Sequence, residues 1–196
     1  MVESTAPFAG LFEAVDGPPG FWVEPRAGDG VALVQARRGQ GPALIARVRE
    51  DCGLAPADGP RCAFGPATVF VGTAPGAWLA VREAGGFAWA ARLAGRLAGL
   101  AGVVDQSGGY GLLRLGGPAA GEVLAKGVSI DLHPKAFPVG AAAATVTAHV
   151  KILLWRRADG FELAVPRSSA GHVAHWLGAG AAGLGLEVRS TRPSVA

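Results

Sequence analysis

The sequence predicts an α+β protein of two ferredoxin-like β-α-β-β-α-β halves packed together. Three observations carry this expectation. The 196 residues fit one domain, or one domain of two similar halves. Strand-like and helix-like segments run in one order and then run in that order again. Short landmarks also recur at matching places: Gly41-Pro42-Ala43 with Gly117-Pro118-Ala119, Leu79-Ala80-Val81 with Leu163-Ala164-Val165, and Leu93 with Leu177.

Each element has its own local reason. Residues 1–28 carry Pro7, Pro18, Pro19 and Pro25 and read as an extended N-terminal arm. Phe8, Leu11, Phe12, Phe21 and Trp22 are its anchors, expected to dock on a partner. Val31 to Ala36 reads as a strand. Gly41-Pro42-Ala43 opens a helix to about Cys52, with proline suited to the first turn and Gly53 to the stop. Thr68 to Val71 and Trp78 to Val81 are strands joined through Ala74-Pro75-Gly76. Phe87, Ala90, Leu93, Ala94, Leu97 and Leu100 mark one helix face.

The second half follows the same plan. Tyr110 to Leu115 is a strand, and Gly117-Pro118-Ala119 opens a short helix that ends at Gly127. Thr145 to Trp155 reads as one long alternating strand, with Val146, Ala148, Val150, Ile152 and Leu154 on one face. Ala158-Asp159-Gly160 turns it into a hairpin with Phe161 to Val165. Ser168 or Ser169 caps a helix carrying Val173, Trp176 and Leu177. Leu184 to Val188 closes the pattern. The expected organisation is therefore an arm at 1–28 and a single domain at 29–190. Its halves are about 29–104 and 105–190, and 191–196 is a tail.

Composition narrows the function classes. Apolar residues make up 50% of the chain and charged residues 17%, and mean hydropathy is +0.33. So lean a surface points to a face covered by a partner. The basic side is almost all arginine, with only Lys126, Lys135 and Lys151 as lysines. Part of the apolar count is therefore alanine from a GC-rich coding bias. Net charge is +3, and the arginines are scattered rather than interleaved with aromatics along one face. No nucleic-acid partner is expected. Met1 to Thr5 lacks the basic start and apolar stretch of a signal peptide. Arg92, Arg96, His149 and Lys151 break the longest apolar runs, so no membrane span is expected. Cys52 and Cys62 form no CxxC pair. A cytoplasmic protein with free thiols is the consistent expectation.

No catalytic set emerges from the residues. Gly178, Gly180 and Gly183 match GxGxxG, but the segment leaves a helix and enters a strand. A dinucleotide loop must run the other way, so that a helix N-terminus faces the pyrophosphate. Ser107 follows Asp105-Gln106, where a nucleophile elbow would need glycine two residues before the serine. A turn before Tyr110 is the simpler reading. His172 and His175 share a helix face without a carboxylate on that helix, so no metal set is assigned. His133 and His149 stand alone.

The order and spacing of one long segment resemble a known family. It runs through Asp105-Gln106-Ser107, Leu115-Gly116-Gly117-Pro118-Ala119 and Leu124-Ala125-Lys126-Gly127. Asp131-Leu132-His133-Pro134, Phe137-Pro138, Leu154-Trp155-Arg156, Phe161-Glu162-Leu163, Arg167-Ser168 and His175-Trp176-Leu177 follow. This is similar to the gamma subunit of bacterial heterotetrameric sarcosine oxidase, a small relative of the aminomethyltransferase (T-protein) of the glycine cleavage system. The resemblance implies the fold of the first T-protein domain. It also implies a non-catalytic subunit that supports a complex oxidising sarcosine to glycine. FAD, FMN, NAD and tetrahydrofolate would belong to the other subunits. The partners would be the alpha, beta and delta subunits, chiefly alpha.

Asp131 is the one candidate folate residue that the resemblance supplies. T-proteins carry Gly-Pro-Asp-Ala and then Asn-Asp-Val, whose aspartate is thought to hold the pterin. Here Gly117-Pro118-Ala119-Ala120 precedes Ser129-Ile130-Asp131-Leu132, so the aspartate is matched and the asparagine is replaced by Ile130. In T-proteins a second β-rich domain closes the folate channel, and no such domain is expected here. A carboxylate without a closed, preorganised pocket is a poor catalyst, so Asp131 is expected to be structural. The rival from another class is a freestanding folate-binding or aminomethyltransferase-like protein; a ferredoxin-like RNA-binding module is a third, but the aromatic-plus-basic strand pattern it needs is absent here. The gamma subunit of a related N-methyl amino acid oxidase or dehydrogenase is a further alternative.

Overall fold

The computed structural model describes residues 6–15, 17 and 20–190. Pro18, Pro19 and the expected tail at 191–196 lie outside the described residues. The first strand, β1 (Phe21–Arg26), falls inside the stretch expected to be an arm. The chain divides into two compact units.

One unit comprises Gly28–Gly109 with Gly140–Ala143. Its elements are β2 (Gly30–Ala36), α1 (Gly41–Cys52), β3 (Cys62–Phe64), β4 (Thr68–Ala74), β5 (Ala77–Arg82), α2 (Ala88–Arg96) and β6 (Ala101–Asp105). The sheet order is β3-β4-β5-β2-β6, with every neighbouring pair antiparallel. Without β3 this is the expected ferredoxin-like arrangement. β3 is an added edge strand that the sequence pattern does not announce.

The helices form where expected. Pro42 occupies the first turn of α1, and Gly53 ends it at φ 68°. That left-handed conformation is one that glycine adopts without steric cost. Leu44 and Val48 of α1 and Trp89, Ala90 and Leu93 of α2 pack on Ala32, Val34, Phe70, Trp78 and Ala80 of the sheet. Val31, Val69, Val71, Leu79 and Val81 are buried on the opposite sheet face. Strands buried on both faces read as continuous apolar runs, which is why this sequence shows little alternation here. α2 is shorter than its apolar stripe. Leu97 already caps it, Leu100 lies past its end, and Phe87 before it is exposed.

The other unit comprises Tyr110–Val139, the chain from Ala144 onward, and the residues up to Ala27. It holds β7 (Tyr110–Gly116), α3 (Ala120–Ala125), β8 (Ala142–Thr147), β9 (Val150–Arg157), β10 (Gly160–Pro166), α4 (Ala170–Gly180) and β11 (Leu186–Val188). The first two residues of β8 group with the unit described above. The sheet order is β11-β1-β7-β10-β9-β8. β1 is parallel to β11 and antiparallel to β7, so it sits between the strands that a plain ferredoxin-like half would pair.

Pro25 is tolerated in β1 because the β11 pairing covers only Phe21 to Val23, leaving β7 as its sheet neighbour there. The anchors Phe8, Phe21 and Trp22 are buried by their own chain, whereas Leu11 is exposed. The expectation that this stretch docks on a partner is corrected accordingly. Pro7 and Phe8 lie so close to Gly111 that a Cβ there would meet them at 2.8 and 2.9 Å.

The long strand expected at Thr145 to Trp155 is instead a hairpin. Ala148 and His149 have φ of 45° and 66° and form a two-residue turn between β8 and β9. Positive φ at both positions is the signature of the turn that matches strand twist. Neither residue is glycine or asparagine, so the turn leaves no compositional mark. Ser169 stands at the N-cap of α4, after a 3-10 turn at Arg167–Ser169, but makes no side-chain cap bond.

Candidate functional site

The loop between α3 and β8 carries Asp131, which is exposed. Its Oδ1 accepts a hydrogen bond from the His133 backbone N–H at 2.8 Å. This is an Asx turn, in which a side-chain oxygen replaces a backbone acceptor. The His133 carbonyl then accepts from the Ala136 and Phe137 N–H groups at 2.9 and 2.8 Å. Its Nδ1 accepts from the Lys135 N–H at 3.3 Å. Leu132 and Phe137 point inward and are buried. Arg156 on β9 fixes both ends of this turn, donating from Nη1 to the Leu132 and Phe137 carbonyls at 3.0 and 3.2 Å. Its guanidinium lies 5.0 Å from the Phe161 ring centre. Every contact of the Asp131 side chain described here is local and shapes the loop.

The other candidates also take structural places. The Ser107 Oγ accepts from the Val31 N–H at 2.9 Å and donates to the Val31 carbonyl at 3.3 Å, continuing the β6 side of the inner strand β2 beyond Ala32. Its own N–H bonds Asp105 Oδ1 at 2.9 Å. Gly178 and Gly180 lie in α4, and Gly183, at φ 80°, is in the turn that leads to β11. His172 Nε2 lies 2.8 Å from the Ala148 carbonyl and ties α4 to the β8–β9 turn. His175 is exposed. Among the described residues, no three His, Cys, Asp or Glu side chains gather as a metal set. Neither Cys52 nor Cys62 forms a disulfide.

Two charged clusters were not legible as sites in the sequence. The first is a cross-strand row, Glu24–Arg114–Glu162–Trp155, set by the registers of β1, β7, β10 and β9. Glu162 is 4% exposed. Its Oε2 accepts from Trp155 Nε1 at 3.1 Å and Arg157 Nη1 at 3.0 Å. Burial pushes its carboxyl above the usual range, against the pull of Arg157, Arg26 and Arg114. Charges alternating along a strand ordinarily mark a solvated face, which hides a buried carboxylate of this kind.

The second cluster lines a cleft of about 200 Å³ in the unit that contains α1 and α2. Asp51 and Cys52 come from the last turn of α1, Arg82 from the end of β5, and Trp89, Arg92 and Arg96 from α2. Arg96 Nη1 lies 3.4 Å from Asp51 Oδ1. Asp51 Oδ2 is buried with no hydrogen-bond partner among the described residues. Burial raises the Cys52 thiol pKa and Asp51 raises it further, while Arg82 and Arg96 pull the other way. Arg92 and Arg96 are four apart and so share a helix face. The residues that join them come from distant parts of the chain.

Comparison with known proteins gives the family. The sarcosine oxidase, gamma subunit family matches residues 38–183, well over half of the chain. A sarcosine oxidase subunit gamma from Arthrobacter sp is 39% identical over 117 residues, 59% of this chain and 56% of that protein. One from Corynebacterium sp. (strain P-1) is 43% identical over 76 residues, 38% of this chain and 37% of that one. These alignments therefore span 37% to 56% of the curated relatives' lengths. A chain of the heterotetrameric sarcosine oxidase from Corynebacterium sp. U-96, solved with pyrrole 2-carboxylate, superposes with a TM-score of 0.75 at 28% identity. That match covers 86% of this chain and 87% of the other. The glycine cleavage system aminomethyltransferase T from Bartonella henselae gives 0.63 at 17% identity, over 87% of this chain and 48% of that one. The second likeness establishes a T-protein-like fold. The chain belongs to the sarcosine oxidase gamma subunit family.

Proposed function

We propose that this chain is a non-catalytic gamma subunit that supports assembly of a heterotetrameric sarcosine oxidase, the complex that oxidatively demethylates sarcosine to glycine. The observation that carries this reading is the family match over residues 38–183, joined to a likeness over 86% of the chain to a chain of such an oxidase. On this reading FAD, FMN, NAD and tetrahydrofolate are held by the other subunits. The alpha subunit is the main partner, with beta and delta completing the complex, and the setting is the cytoplasm. No helix among the described residues is long and apolar enough to cross a membrane. Apolar residues make up 50% of the chain and charged residues 17%, a composition that favours a face covered by a partner. The side-chain contacts of Asp131 and Ser107 serve local structure, which agrees with a supporting role.

The test is coexpression of alpha, beta and delta with and without this chain. Yield of assembled complex is measured by size-exclusion chromatography with mass detection, and turnover by sarcosine-dependent peroxide production. The expected result is a loss of assembled, active complex when this chain is omitted. Equal yield and turnover from the three other subunits would overturn the reading.

A further inference from the structure

The cleft between α1, β5 and α2 has a charge balance that the fold does not need. Three guanidinium groups, Arg82, Arg92 and Arg96, face it with one carboxylate, Asp51, and a thiol. Three positive charges against one negative leave a surplus of two. Among the described residues neither Arg82 nor Arg92 has a carboxylate partner. Arg82 Nη1 donates to the neutral Thr68 Oγ1 at 3.1 Å, and Arg92 Nη2 reaches the Gly85 carbonyl only at 3.4 Å. Placing Arg92 and Arg96 four apart on one helix face is itself repulsive. Asp51 offsets Arg96, whereas the contact described for Arg92 is to a neutral carbonyl.

Size and chemistry then select the ligand. About 200 Å³ is below the usual range for a nucleotide or whole cofactor and suits a single small group. Guanidinium forks match the oxygens of carboxylates and phosphates. A carboxylate brings one negative charge, whereas a phosphate group brings about 1.5 to 2 at neutral pH. Only the second matches the surplus. We propose that this cleft binds one phosphate group, held by Arg82, Arg92 and Arg96 beside Trp89. The cleft lies away from Asp131 in the sequence. Arg96 must share itself between the ligand and Asp51, and its 61% exposed side chain is free to do so.

Isothermal titration calorimetry on the full chain tests this, with ionic strength held constant by sodium chloride. Inorganic phosphate and glycerol phosphate are the two phosphate probes, and acetate is the monoanion control. The expected result is saturable one-site binding of inorganic phosphate, at least about tenfold tighter than acetate, because the second charge adds charge-assisted bonds. Glycerol phosphate binding as well would identify a phosphomonoester as the natural source, and its exclusion would identify free phosphate. R92Q/R96Q should weaken phosphate about tenfold or more, while R37Q, outside the cleft, should leave it unchanged. A near-UV circular dichroism spectrum matching the parent shows that R92Q/R96Q is folded. If that variant does not fold, R82Q alone carries the same expectation. No saturable phosphate heat, equal binding of acetate, or undiminished binding by the arginine variants would each overturn the proposal.

Discussion

Asp131 and Glu162 are both acidic residues, and their surroundings give them opposite roles. Asp131 is exposed and holds one backbone N–H. Asp131→Ala should leave sarcosine turnover of the assembled complex within about threefold, since removing a true transition-state contact costs a hundredfold or more. Loss of the Asx turn should lower stability by about 1 kcal/mol. Turnover normalised to assembled complex checks the first, and urea denaturation the second. Glu162 is buried and its pKa is raised. The native state therefore holds that proton at pH values where the unfolded chain has released it. Its contribution to stability is present below the unfolded carboxyl pKa and is lost as pH rises through the folded one. Denaturation of the parent and Glu162→Gln across pH 4 to 8, roughly the window opened above an ordinary glutamate, isolates this group. The stability of the parent relative to Glu162→Gln should fall as pH rises. A relative gain would mean that the three arginines outweigh burial.

At the scale of elements, the β8–β9 turn and β1 carry the clearest expectations. His149 sits at φ 66°, where an L side chain is disfavoured by about 1–2 kcal/mol. His149→Gly should raise stability by about 0.5–1 kcal/mol, since glycine's extra freedom when unfolded offsets part of that gain. A lower urea midpoint would contradict the turn geometry. Removing residues 1–28 deletes β1, with buried Phe21, Trp22 and Val23. Three such side chains at about 1.5–3 kcal/mol each approach the whole stability of a domain. The truncated chain should lose part of its melting amplitude and of its near-UV circular dichroism, the β2–β6 unit with its buried Trp78 keeping the rest. An unchanged melt and spectrum would show that β1 is dispensable.

What could be read in advance follows from how each signal arises. Proline before a helix and glycine after it mark α1 because they act on the local backbone. β1 was legible only as a proline-rich arm, because its place is set by β7 and β11, far along the chain. The Ala148–His149 turn was hidden because alternation continues through it. The arginine cleft was hidden because Arg82 meets Asp51 and α2 only through tertiary packing.

For the whole molecule, the proposed assembly role accounts for the lean surface more directly than any single site does. The isolated chain should be colourless, without the absorption near 450 nm that a retained flavin gives (approximate band, set by the cofactor). A yellow preparation that survives dialysis would place a flavin on this chain. Coexpression with the other subunits should also raise soluble yield, because a partner that binds only the folded state shifts the equilibrium towards it.

The position of β1 has a consequence for how the chain is made. β1 leaves the ribosome early, yet its Phe21 pairs with Leu186 and its Val23 with Leu115 of β7, which are synthesised much later. The intervening β2 to β6 sheet contains all of its own strands, so it can form while β1 is still waiting. During that interval Phe21, Trp22 and Val23 are an unpaired apolar strand in a growing polypeptide. Closing so long a loop is slow, and such segments are exposed to aggregation meanwhile. Pro25 limits the hazard, since a strand with a missing N–H is a poorer template for a foreign edge. Substituting Pro25 by valine would therefore be felt first in the yield of nascent chain, even if the finished sheet accepted it.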